Sequence, residues 1–246
     1  VSKTVYEESV SHLTEVFHQS NNMLGELTHK NLMYLHMWSE YLQDAPSESK
    51  IRDYIDKAQK DAGFLYFYFL SADGNYKMTT GETGYLGLQE NIEDEIQKGN
   101  DIITNAAVPG KSQMLVFASP KAHGSYQGFK YDAIAIAYEN ADIVNVLDIS
   151  AFNGKAKSYV LHPDGRVVID HSLESWGNVY NFFGILREHT DISEKEILEI
   201  SKKFKEGHTG AMLVNLDGKD YYLVYEKSDI QDWIFLGLVQ ADIVNA

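Results

Sequence analysis

Residues 70–78 read LSADGNYKM, and residues 161–169 read LHPDGRVVI. In each stretch an Asp-Gly pair separates two short strand-like runs, which is the pattern of a tight β-hairpin turn. The two pairs, Asp73-Gly74 and Asp164-Gly165, are 91 residues apart. The sequence therefore predicts two hairpins, each with a strand, a turn and a second strand.

A second pair of similar stretches follows the hairpins in the same order. Residues 135–149, AIAYENADIVNVLDI, align with residues 222–236, YLVYEKSDIQDWIFL, so that Tyr138 matches Tyr225. Two ordered matches at nearly the same offset predict two copies of a module of about 90 residues. Each copy has a strand, a turn, a strand, a helix and three more strands, and a strand at 143–149 ends the first copy. This order predicts an α+β fold, in which each PAS-like module has a roughly five-stranded antiparallel sheet with flanking helices.

The segment before the repeat lacks the residues that end helices. Residues 4–42 contain no proline and one glycine, and their apolar residues recur at helical spacing. The apolar series is Val10, Leu13, Phe17, Leu24, Leu27, Tyr34, Trp38 and Tyr41, with Ser20 and Asn31 in its two gaps. The pattern predicts one long amphipathic helix, and polar residues within such a seam are typical of a coiled coil. We therefore predict a homodimer through this N-terminal helix; the alternative is a helix that packs on the sheets of its own chain.

Composition excludes several classes of protein. The formal net charge is −15, so the surface repels phosphate backbones and anionic lipids, and no basic stripe indicates nucleic-acid binding. The absence of cysteine excludes disulfides, thiolate catalysis and cysteine-based zinc sites. No apolar run reaches the roughly 18–20 residues that span a bilayer. Because the chain begins at Val1 and ends without a helix cap, we expect it to be a segment of a longer, membrane-anchored protein.

The order of these segments resembles the double Cache family of sensor domains, whose modules are PAS-like. The stretches that carry the resemblance are YVLHPDGRVVIDH (159–171), WIFLGLVQADIVNA (233–246), GETGYL (81–86) and SYQGFKYDAIAI (125–136). They are similar to the sensor regions of histidine kinases and diguanylate cyclases of Firmicutes. The resemblance covers essentially the whole chain.

The resemblance implies a domain organisation and a function. It divides the chain into a long N-terminal helix at 1–45, a membrane-distal module at 46–151 and a membrane-proximal module at 152–246. The distal module of such a homodimeric cell-membrane receptor binds a small molecule outside the cytoplasm, and the proximal module relays the change to a cytoplasmic output domain. We expect this part of the receptor not to be an enzyme and to need neither a cofactor nor a metal.

One candidate for the ligand site comes from the resemblance. In amino-acid-binding members of the family, an aspartate at the end of the first module's last strand holds the ligand's ammonium group, and Asp148 is the residue that matches. The alternative is that Asp148 caps the following turn. The same members hold the ligand's carboxylate with an arginine near a Trp-Tyr pair. Residues 76–113 contain no Arg and no Trp, which weighs against a typical α-amino acid as the ligand.

The other candidates are aromatic and acidic residues of the first module. Alternation along residues 131–138 places Asp132 and Tyr138 on one face of a strand, with three alanines on the other. We expect the alanine face to admit a close-packed helix, which would leave the first face for the ligand. The candidates for the ligand site are Asp132, Tyr131, Tyr126, Tyr138, Tyr68, Tyr66 and Phe117. Aromatic residues on a sheet belong to a core more often than to a pocket, and that alternative stays open.

Two other functions find less support in the sequence. His162, Asp170 and His171 flank the second hairpin, but the adjacent Ser172 points to the opposite face of a strand and is not placed as a nucleophile. No phosphate loop, dinucleotide fingerprint or zinc-protease motif occurs. A solute-binding protein that delivers a small ligand to a transporter is the alternative to a receptor, although such proteins usually have two α/β lobes.

Overall fold

The computed structural model describes residues 2–44, 46–107, 113–147, 151–170 and 179–245. Its helices are α1 (Lys3–Gln43), α2 (Glu48–Ala62), α3 (Glu93–Gln97), α4 (Asn140–Val146), α5 (Phe182–His189), α6 (Glu194–Lys205) and α7 (Ala241–Val244), with a 3-10 turn at Ala151–Gly154. Its strands are β1 (Tyr66–Leu70), β2 (Asn75–Lys77), β3 (Thr83–Tyr85), β4 (Gly87–Leu88), β5 (Ile102–Ala107), β6 (Met114–Ser119), β7 (Gly124–Tyr126), β8 (Phe129–Tyr131), β9 (Ala133–Glu139), β10 (Lys157–Leu161), β11 (Val167–Asp170), β12 (Gly210–Leu216), β13 (Lys219–Lys227) and β14 (Ile234–Gln240).

The chain forms two compact units. The terminal unit contains Val1–Glu26 and Val144–Ala246, and the central unit contains Leu27–Ile143. Helix α1 therefore contributes its first part to the terminal unit and its second part to the central unit. Among the described residues, no helix is both long and apolar enough to cross a bilayer.

The main sheets of the two units share one strand order. The central sheet has the order β3-β2-β1-β9-β6-β5-β4, and the terminal sheet has the order β11-β10-β14-β13-β12, with antiparallel neighbours throughout. The edge strands β3 and β4 are set aside, and the five remaining core strands of each sheet are counted along the chain. Both sheets then have the order second, first, fifth, fourth, third. The predicted α+β fold is confirmed, with a long helix followed by antiparallel sheets, and the central sheet has two strands more than expected.

The hairpins at the two Asp-Gly pairs are confirmed, whereas the second repeat match is wrong. Gly74 and Gly165 adopt φ of 91° and 89°, and they connect β1 to β2 and β10 to β11. Tyr138 lies in β9, the fifth core strand of its sheet, but Tyr225 lies in β13, a fourth strand. The strand predicted at 143–149 is also wrong, because residues up to Val146 form helix α4.

The apolar seam of α1 packs within the chain. In the terminal unit, Phe17 lies against Phe235 with ring centroids 6.4 Å apart, and in the central unit Trp38 lies 5.6 Å from Phe64. The polar residues of the seam, Ser20 and Asn31, are buried as well. The seam thus follows the alternative of a helix that packs on its own sheets. The exposed large apolar side chains of α1 are Val5, Met23, Met33 and Met37, and the predicted homodimer would have to use residues outside the seam.

The second face of the terminal sheet is covered by α5 and α6. Ser193 and Glu196 form a capping box at the start of α6, because each side chain accepts a hydrogen bond from the other residue's backbone N–H. Ile197, Ile200 and Phe204 then follow at helical spacing and are buried in the cluster that contains Tyr159 and Leu236. The terminal sheet is therefore sandwiched between α1 and the pair of helices.

Gly25 offers a simple test of the helix. It lies inside α1 with nothing within 4 Å of an added Cβ, so we expect Gly25→Ala to stabilise the protein by about 0.5–1 kcal/mol. The matched control is Gly63→Ala, where the space is equally open but φ is +73°, and alanine there should destabilise by about 1 kcal/mol. Urea unfolding measures both changes, and equal effects of the two substitutions would contradict this explanation.

Candidate functional site

The two faces of the central sheet have different coverings. Paired residues share a face, and the pairs Phe69↔Ile134 and Phe117↔Ile136 lie on one face while Tyr68↔Ala135 lies on the other. The first face meets α1, because the hydroxyl of Tyr138 on that face lies 2.9 Å from Asn31 Oδ1. The long helix α1 therefore lies on the bulky face, and the alanine face admits the short helix α3 instead. Bulky residues, not small ones, fill the space beneath α1.

Two of the predicted ligand residues lie beneath α1. The Tyr138 hydroxyl donates to Asn31 Oδ1 and to the carbonyl of Ala62, 3.0 Å away, and burial raises the pKa of this phenol to about 12. Phe117 is fully buried and contacts the Tyr138 ring edge-on. Both side chains connect the sheet to α1 and α2, and neither lines the cavities described below.

Two other predicted residues, Tyr66 and Tyr68, lie on the opposite face. Their rings are 5.9 Å apart, and Tyr68 also contacts Tyr76 at 4.5 Å. Burial, reinforced by the neighbouring tyrosines and Glu82, raises the pKa of Tyr68. The same face carries small residues, and these are Ala106, Ala118, Ala135 and Ala137. Ile92 and Ile96, at the start of α3 and within it, pack against this tyrosine-alanine face.

The remaining described candidates lie on the hairpin β7–β8 and directly after it. Tyr126 is buried in β7, and its hydroxyl donates to the carbonyl of Thr79 over 2.8 Å. Tyr131 ends β8, and Asp132 separates β8 from β9. The backbone N–H of Asp132 donates to the carbonyl of Leu70, which fixes this junction to the end of β1.

Two cavities of about 310 Å³ each flank this hairpin. The charged cavity is lined by Ile96, Pro120, His123, Gly124, Lys130, Tyr131 and Asp132. The aromatic cavity is lined mainly by Leu42, Ile51, Phe69, Ala122, Tyr126 and Tyr131. Tyr131, His123 and Gly124 thus contribute to both cavities, and Ile96 joins the charged cavity to the tyrosine-alanine face.

Several polar groups of the charged cavity have no partner within the described parts of the chain. Asp132 Oδ2 accepts a hydrogen bond of 2.8 Å from the backbone N–H of Ala72, whereas Oδ1 has no partner. The Tyr131 hydroxyl and the Lys130 ammonium are likewise unpaired, as is the His123 ring. Tyr131 is only 6 % exposed, and burial raises the pKa of its hydroxyl, so it stays neutral. The side chains of Lys130 and His123 are exposed and that of Asp132 is half-buried, so a polar ligand can reach this set from solvent.

The predicted residue Asp148 lies outside the described residues. Because α4 begins at Asn140, the last strand of the central sheet is β9, and the carboxylate at its end is that of Glu139. Glu139 pairs with Met114 and so lies on the tyrosine-alanine face. Sequence reasoning missed His123 and Lys130, which line the charged cavity, and nothing in the sequence indicated them.

Several histidines of the described segments lie beside acidic residues. Within these segments no group of three or more His, Asp or Glu side chains is arranged to hold a metal ion. His162 Nδ1 lies 3.0 Å from Asp232 Oδ1, beside the second hairpin. His171 and Ser172, which the sequence analysis considered with His162, lie outside the described residues.

No protein-family model matches the chain, and no curated protein matches its sequence. Three solved structures are similar along nearly the whole length. The ligand-binding domain of the amino-acid chemoreceptor PctB of Pseudomonas aeruginosa PAO1, in complex with L-Arg, has a TM-score of 0.69 and 14 % identity, covering 96 % of this chain and 97 % of that chain. The sensory domain of the Campylobacter jejuni chemoreceptor Tlp3 with isoleucine bound has a TM-score of 0.61 and 10 % identity, covering 99 % and 97 %.

The third structure is the extracellular domain of the putative histidine kinase mmHK1S-Z3, with a TM-score of 0.61 and 12 % identity, covering 98 % of this chain and 96 % of that chain. The chain has the fold of bacterial sensor domains. At these identities the likeness shows the fold alone, and the ligand must be inferred from the residues of this chain.

Proposed function

We propose that this chain is the extracytoplasmic, double Cache sensor domain of a transmembrane receptor, and that its ligand binds in the central unit. The observation that carries the proposal is the charged cavity, where Lys130, Tyr131 and Asp132 present polar groups without partners in the described chain. A cavity of about 310 Å³ is within the range that small ligands occupy. The output domain we expect is a histidine kinase or a diguanylate cyclase.

The charges of the cavity favour a small zwitterion. Asp132 Oδ1 is free to accept from an ammonium group, and the ammonium of Lys130 can pair with a carboxylate on the same ligand. Lys130 supplies a positive charge in place of the arginine that residues 76–113 lack. PctB and Tlp3 were solved with amino acids bound, which supports the same ligand class here.

A path for the signal leads from this cavity to α1. Asp132 immediately precedes β9, and Tyr138 near the other end of that strand contacts Asn31 of α1. A ligand that pulls on Asp132 shifts β9 along its axis, and the shift changes the contact with the helix. Because α1 also belongs to the terminal unit, we propose that this helix carries the change onward. The ligand acts by favouring one of two arrangements of these contacts.

A thermal-shift screen with the twenty L-amino acids tests the proposal. The zwitterion that fits should raise the unfolding temperature by about 5–10 °C at a concentration of about 100 Kd. For each amino acid that stabilises, the matched controls are the amine without the carboxylate and the acid without the ammonium group. The proposal fails if no zwitterion stabilises the protein, or if either single-charge analogue stabilises it equally.

A further inference from the structure

The aromatic cavity is a second opening in the central unit, and the proposed sensor site does not use it. Its walls come from separate segments, since Leu42 lies in the last turn of α1, Ile51 belongs to α2, Phe69 to β1 and Tyr126 to β7. These four side chains are each at most 9 % exposed. The cavity has a volume of about 310 Å³ and opens to solvent beside the exposed side chains of Gln43, His123 and Ser125.

The walls of this cavity are aromatic. The rings of Phe69 and Tyr126 are stacked, with centroids 4.4 Å apart and planes inclined by 15°. Tyr131 completes the aromatic wall, at 4.9 Å from Phe69. Aromatic rings attract further rings in offset or edge-on arrangements, which are worth about 0.5–1.5 kcal/mol beyond the area that they bury. The wall therefore selects a planar, aromatic occupant.

The polar side of this cavity is open to solvent. Its polar groups are the exposed side chains of Gln43, His123 and Ser125 and the Tyr131 hydroxyl, and Gln43 already donates to the carbonyl of Lys121. Charged side chains also act on the wall, since burial raises the pKa of Tyr126 while Arg52 lowers it and Glu48 raises it. A ligand can therefore place its ring on the aromatic wall and keep a polar group on the open side.

We infer that the aromatic cavity is a second ligand site, selective for a small aromatic molecule with one hydrogen-bonding group. The aromatic wall holds the ring, and the unpaired Tyr131 hydroxyl or the His123 ring pairs with the polar group. Such a ligand touches α1, α2, the sheet and the hairpin at once, so its binding fixes the end of α1 against the sheet.

Indole tests the inference, because it is a small planar aromatic molecule with one N–H donor. Isothermal titration of the intact chain should show binding of indole. No binding of indole overturns the inference.

Two matched isoleucines locate the probe. Ile51 lines only the aromatic cavity and Ile96 lines only the charged cavity, so a tryptophan at each position fills one of the two spaces. Ile51→Trp should abolish indole binding, and Ile96→Trp should leave it within about twofold of the original affinity. Circular dichroism checks folding, and Ala122→Leu, also in the aromatic cavity alone, replaces Ile51→Trp if that variant does not fold. The assignment is overturned if a folded variant with a filled aromatic cavity binds indole with unchanged affinity. It is also overturned if Ile96→Trp no longer binds indole.

Discussion

Asp132→Asn should weaken binding of the zwitterionic ligand by about 10- to 100-fold, because it removes a charge-assisted contact worth roughly 1.5–3 kcal/mol. The substitution keeps the size of the side chain and an oxygen that can accept from the backbone N–H of Ala72, so the junction before β9 is preserved. The loss thus reports on the charge at Oδ1 and not on a collapsed loop. Isothermal titration with the amino acid found in the thermal-shift screen measures the affinity.

Asp94→Asn is the matched control, because Asp94 is an exposed acid of α3 that does not line the charged cavity. It removes the same formal charge from the central unit, and we expect an affinity within about twofold of the original. Equal losses in the two variants would mean that the overall charge, and not contact with Asp132, governs affinity. An unchanged affinity of Asp132→Asn would remove the charged cavity from the ligand site.

The hairpins could be predicted from the sequence because their cause is local. An Asp-Gly pair supplies a residue that tolerates positive φ, and the structure shows φ near +90° at both glycines. The second repeat match failed because short runs of apolar residues with one Tyr-Glu pair occur in any strand. A better match was present, since ADIVN stands at both 141–145 and 241–245, and each copy lies in a helix directly after the fifth core strand, β9 or β14.

The first ADIVN copy, at 141–145, overlaps the segment 143–149 for which a strand was predicted. An apolar run of this length satisfies the strand period, but Ile143 and Leu147, four residues apart, are both buried, as on one side of a helix. Periodicity alone does not separate the two structures in so short a segment. The repeated ADIVN after β14 would have decided between them.

The faces of the central sheet could be paired but not oriented from the sequence. Alternation correctly separates the alanines of β9 from Ile134, Ile136 and Tyr138. It does not say which face meets the long helix, because that depends on residues more than a hundred positions away, such as Asn31 opposite Tyr138. The sequence named Tyr131 and Asp132 but not His123, because the β7–β8 hairpin brings His123 to the same cavity and its pairing was not predicted.

Gly237→Val should destabilise the terminal unit strongly, by about 3 kcal/mol. Gly237 lies in β14 beneath α1, and a Cβ at this position would overlap the ring of Phe17. Phe17 is 4 % exposed and also contacts Phe235, so its ring has no free space to move into. The helix must then lift from the sheet or the ring must leave its rotamer, and either change costs packing energy. Urea unfolding followed by circular dichroism measures the loss.

A double-mutant cycle separates this overlap from any general effect of valine. Phe17→Ala alone should cost about 3–5 kcal/mol, because it empties a buried aromatic position. In that background Gly237→Val meets no ring, and the preference of valine for strands makes the substitution neutral or stabilising. The two changes should therefore be coupled by more than about 1 kcal/mol, as expected for residues in contact. If valine costs the same with and without the Phe17 ring, α1 does not rest on β14 through this pair, and the packing of the seam on the terminal sheet needs another explanation.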